Sequence, residues 1–74
     1  MVLPVVSGRK VVKALAKAGF KVAGRKGSHV KLKKKVDDKV FVVIVPFRAE
    51  LARGTLKSIL RQANITREDF LKLL

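Results

Sequence analysis

Residues 28–33 read Ser28-His29-Val30-Lys31-Leu32-Lys33, and residues 40–45 read Val40-Phe41-Val42-Val43-Ile44-Val45. The first run alternates strictly. It predicts a strand with Val30 and Leu32 on one face and His29, Lys31 and Lys33 on the other. The second is a continuous, largely β-branched run, which predicts a strand either buried on both faces or covered by a partner. Pro46 ends it, because proline cannot donate to a sheet ladder. Upstream, Phe20 and Val22 alternate with Lys21 and Ala23, giving a short strand over residues 20–25. Gly24-Arg25-Lys26-Gly27 is expected to form the turn between the first two strands. The polar run of residues 34–39 is expected to connect the second to the third.

Helical signals flank this β-rich centre. Ser7 is a suitable N-cap, and Val11, Val12, Leu15 and Ala16 recur at helical spacing, so a first helix is expected over Gly8–Ala18. Gly19 fits the left-handed position that stops it. A second helix is expected over about Gly54–Ala63, with Leu56, Ile59, Leu60 and Ala63 as its apolar stripe and Asn64 closing it. Thr66 followed by Glu68 and Asp69 predicts the start of a short final helix carrying Phe70, Leu71, Leu73 and Leu74. Consecutive strands with short connections pair antiparallel, and both main helices can cover one sheet face. The expected fold is therefore α+β, a two-layer sandwich of order α-β-β-β-α with a short C-terminal helix.

Seventy-four residues suffice for one domain spanning 1–74. A chain of this size buries only about 60% of its unfolded surface, so the core must be small. With no cysteine, one histidine and five acids, neither disulfides nor a metal site is expected. The opening residues 1–6 are apolar but lack a basic leader and a cleavage site, and no run approaches the ~20 apolar residues of a membrane span. A cytoplasmic protein, without a membrane partner and monomeric when free, is the expectation. Residues 2–6 and the strand over 40–45 together promise more apolar surface than so small a core absorbs, which favours a protein partner.

Charge points to the ligand. Eighteen Lys and Arg face five Asp and Glu, for a net +13, and residues 1–36 hold eleven basic residues and no acid. A field of that sign attracts polyanions, above all nucleic acid. Lys57 and Arg61, one turn apart on the second helix, are candidate phosphate contacts. Arg25, Lys26, Gly27 and Ser28 of the basic turn could hold a phosphate as well, and Lys31 and Lys33 extend that surface. An ordinary glycine-bearing turn accounts for the same residues. The four phenylalanines read as core, with Phe47 in a loop the exception.

His29 is the chain's single candidate for acid–base work near neutral pH. Cleaving RNA without a metal needs a base to take the 2′-OH proton and an acid to protonate the leaving 5′-oxygen. Beside Arg25, Lys26, Lys31 and Lys33, an imidazole could serve as that base while the cations hold the phosphodiester. A histidine that merely decorates an exposed strand is the competing reading, and it leaves a non-catalytic RNA-binding module of the same fold.

Several short stretches carry a resemblance when taken in order. They are Leu-Pro-x-x-Ser-Gly at residues 3–8, Ala-Gly-Phe at 18–20, Arg-Lys-Gly-Ser-His at 25–29, Val-Pro at 45–46, Gly-Thr-Leu-Lys-Ser-Ile-Leu at 54–60 and Phe-Leu at 70–71. Together they resemble the HicA (YcfA-like) toxin family over nearly the whole chain. The resemblance implies a fold like a double-stranded-RNA-binding domain and cleavage of mRNA by an active-site histidine, here at His29. It also implies a HicB-like antitoxin as partner in a type II toxin–antitoxin pair. Many members carry a second histidine directly after the first, where this chain has Val30.

Overall fold

The computed structural model describes residues 3–74, in the order α1 (Gly8–Lys17), β1 (Lys21–Lys26), β2 (His29–Val36), β3 (Lys39–Pro46), α2 (Arg53–Ala63) and α3 (Arg67–Leu73). The strands form one antiparallel sheet of order β1-β2-β3, with the helices on one face. This is the expected α+β, two-layer, α-β-β-β-α arrangement.

Helix ends form where the side chains dictate. The Ser7 hydroxyl accepts from the Lys10 N–H at 3.2 Å and opens α1. Gly19, at φ 101°, turns the chain out of it. The Lys34 ammonium donates to the Ala18 carbonyl at 2.6 Å and lies 5.8 Å from the centre of the Phe20 ring. A cation there complements the negative end of α1. Lys34 therefore has a structural task, rather than lying in a polar connection as its sequence position suggests. Asn64 closes α2 in the left-handed conformation, and the Thr66 hydroxyl caps α3 by accepting from the Asp69 N–H at 3.2 Å.

The core lies between helices and sheet. Val30 and Leu32 of β2 and Val43 and Val45 of β3 meet Val11 and Leu15 of α1, Leu56, Ile59, Leu60 and Ala63 of α2, and Phe70 of α3. No polar side chain is buried among the described residues. Leu3 and Val6 are also in the core, and the Val6 carbonyl accepts from the Leu51 N–H at 2.9 Å. The N-terminal segment is thus absorbed instead of adding exposed apolar surface, Val5 excepted; Met1 and Val2 lie outside the described residues.

Two hairpins are tighter than their sequences suggest. Lys26 pairs with His29 and Val36 with Lys39, so the turns are the two-residue pairs Gly27-Ser28 and Asp37-Asp38. Gly27 (φ 59°) and Asp37 (φ 56°) supply the left-handed residues. The first turn is not the Gly24–Gly27 segment, because Gly24, Arg25 and Lys26 remain in the β1 ladder. Nor is β3 buried on both faces: Val43 and Val45 are buried, while Val40, Val42 and Ile44 are 40–55% exposed on the other side.

Gly8 is where α1 crosses the chain leaving β3. Its N–H donates to the Arg48 carbonyl at 2.9 Å, and a Cβ placed there would run into the Pro46 carbonyl oxygen. Alanine would gain up to about 1 kcal/mol of helix propensity. Forcing a methyl against backbone that cannot swing aside costs about 1–3 kcal/mol, and this term decides the sign. Gly8→Ala should lower the urea midpoint with an unchanged m-value; an unchanged midpoint would mean that residues 46–48 yield freely.

Candidate nucleic-acid interface

The sheet face away from the helices carries alternate residues of each strand. On β2 these are His29, Lys31, Lys33 and Lys35; on β3, reading back from His29, their partners are Pro46, Ile44, Val42 and Val40. Residues directly opposite on neighbouring strands place their Cβ atoms roughly 4.5–5.5 Å apart. A row of cations therefore runs beside a row of apolar side chains, with His29 at the end nearest the β1–β2 turn.

Which β1 residues join them is decided by a β-bulge. Val22 pairs with Leu32 but Gly24 pairs with Lys31, leaving Ala23 as the extra residue. The insertion reverses the alternation. Without it Arg25 would share the face of His29; with it, Gly24 and Lys26 do, Lys26 directly opposite His29. Arg25 turns to the helix side, its guanidinium 4.9 Å from the centre of the Phe47 ring. Sequence reading grouped Arg25 with the cations around His29, and it missed the bulge. The available signal was Gly24, an isolated glycine inside a strand pattern.

His29, Lys31, Lys26, Arg25, Gly24, Ala23 and Ile44 line an open concavity of about 630 Å³. Lys33 lies farther along β2. Gly27 and Ser28 form the adjoining turn, and the Ser28 carbonyl is already engaged by the Phe47 N–H. Lys57 and Arg61 are not brought to this site. With Arg67, Glu68 and Thr66 they line a separate concavity of about 650 Å³ between α2 and α3, in the helix layer. Val30 is buried in the core at 4% exposure, so a side chain at that position cannot share the face of His29. No group of three or more His, Cys, Asp or Glu that could hold a metal occurs among the described residues. No described helix is long and apolar enough to cross a membrane.

The chain is thus a small, basic, one-sheet α+β module whose open face offers one imidazole among lysines. A model of the HicA toxin family of bacterial toxin–antitoxin systems matches residues 8–65, and the chain belongs to that family. It is thus the toxin of a toxin–antitoxin pair, with an antitoxin as its partner. Among curated proteins, none matches the chain. The matched span takes in the whole sheet, both main helices and His29, and stops before α3.

Proposed function

We propose that this toxin is a metal-independent endoribonuclease that cuts mRNA with His29 as general base. The observation that carries the reading is the position of His29 on the open face, directly across from Lys26 and two residues from Lys31. The imidazole takes the proton of a ribose 2′-OH, and the freed oxygen attacks the adjacent phosphorus. The P–O5′ bond breaks, leaving a 2′,3′-cyclic phosphate and a 5′-hydroxyl. The leaving oxygen takes its proton from the imidazolium, a lysine or water. Lys26 and Lys31 offset the charge that gathers on the phosphoryl oxygens. Lys33, the Gly27-Ser28 turn, and Lys57 and Arg61 on the helix side supply further backbone contacts that carry no base reading.

The partner in this reading is an acidic HicB-like antitoxin. The row of Val40, Val42 and Ile44 beside Lys35, Lys33 and Lys31 suits a surface that is apolar and bears carboxylates, and covering it closes off His29. The free toxin is a monomer that works in the cytoplasm, and residues 1–74 act as one domain. The experiment is incubation of purified toxin with a long mRNA in EDTA. Fragments bearing 5′-hydroxyl ends are expected, with cleavage weakening steeply as salt rises because phosphate contacts release counterions. An acidic neighbouring gene product should suppress it. RNA that binds but stays intact would put the non-catalytic binding module in place of the nuclease.

A further inference from the structure

The concavity beside His29 owes its shape to one missing side chain. Gly24 faces the open side between Ala23 and Lys26, opposite Lys31, and a Cβ built on it meets no atom within 4 Å. Its φ is not in the left-handed range, so its backbone does not require glycine. Neither does packing. Glycine inside a strand is a cost to stability, which makes an open site in front of it the more telling feature. Across β2, Ile44 stands opposite Lys31 and is 41% exposed, forming an apolar wall. A volume of about 630 Å³ lies within the roughly 300–1,000 Å³ of sites for small ligands.

We propose that this concavity seats the ribonucleoside whose 2′-hydroxyl is attacked, and that Gly24 fixes its capacity. The inference rests on His29 as base, since a base that lines the concavity must reach the proton of whatever occupies it. The sugar lies over Gly24, where any side chain would displace it. One face of the base rests on Ile44. The phosphate on the 3′ side is held between Lys26 and Lys31. Contact with Ile44 involves no hydrogen bond, so the site selects for fit and tolerates all four bases.

The test is Gly24→Val, with Gly24→Ala as a graded control and Ile44→Thr probing the wall. Valine suits a strand, and the space before Gly24 is open, so Gly24→Val should melt no lower than the parent. Affinity for long RNA at low salt should stay within about two-fold, because it is summed over many phosphates. Cleavage should fall at least ten-fold for valine and less for alanine, while Ile44→Thr raises KM with little change in kcat. A folded Gly24→Val protein that cuts at the parent rate overturns the subsite and leaves the nuclease reading standing. A second readout decides the matter should the parent itself cut nothing. A short RNA with 2′-fluoro sugars, lacking the nucleophile, is titrated into labelled protein. Amide shifts at Gly24, His29 and Ile44 that vanish in Gly24→Val support the subsite; shifts confined to α1 and α2 overturn it.

Discussion

Replacing His29 with alanine should abolish RNA cleavage and leave the protein folded and able to bind RNA. General-base assistance contributes about 10²–10⁴ in rate, so the residual activity should be at least a hundred-fold below the parent. His29 is exposed and is not a member of the core, so stability should move by no more than about 0.5 kcal/mol. Removing one of many groups on a surface of net charge +13 should alter RNA affinity less than about two-fold. Growth arrest on expression should be relieved in step with cleavage. The decisive comparison is parent against His29→Ala on one mRNA, after circular dichroism has matched their folds. A variant that cuts at the parent rate would remove His29 from the chemistry.

The second large effect falls on Phe70. The family match ends at residue 65, yet this side chain is fully buried and is among the largest in the core. Helix α3 has seven residues and packs against α1. A helix of that length does not persist alone in water, so burial of Phe70 holds it in place. Phe→Ala in a core costs about 3–5 kcal/mol. At roughly 0.05–0.15 kcal/mol per residue, the chain has about 4–11 kcal/mol in all. Phe70→Ala should therefore leave much of the population unfolded at 37 °C. Denaturation in urea checks this, and a loss below about 1 kcal/mol would show α3 to be peripheral to the fold.

The fold was legible because its periodicities are strong and local. Val30 and Leu32 against Lys31 and Lys33 fixed the orientation of β2, and through it the exposure of His29. Ser7, Asn64 and Thr66 marked helix ends by chemistry that needs no tertiary context. What escaped reading depended on neighbours in space. Ala23 is an extra residue only relative to β2, so the exchange of Arg25 for Lys26 beside His29 cannot be counted along β1 alone. Lys34 sits in a run of lysines and differs only because the Ala18 carbonyl lies within its reach. The apolar opening residues looked exposed because Leu51 and the helix layer, which cover Leu3 and Val6, lie far along the chain. Lys57 and Arg61 were read as phosphate contacts on the second helix; that the sheet separates them from the face of His29 follows only from how the helices pack on it.

The two borders of the sheet are protected very differently. The outer border of β1 carries Lys21, Arg25 and Lys26 and is kinked by its bulge, features that discourage another strand from pairing there. The outer border of β3 has no charged residue between Lys39 and Arg48, and the Gln62 side chain occupies one place on it by accepting from the Ile44 N–H at 3.3 Å. Strand alternation leaves the amides of Val40 and Val42 pointing the same way as that of Ile44. Opposing a pairing of two copies there is the long-range repulsion between molecules of charge +13. That repulsion reaches about 10 Å in 0.1 M salt and about 3 Å in 1 M. That border is guarded by charge more than by cover, so concentrated salt should let copies meet border to border.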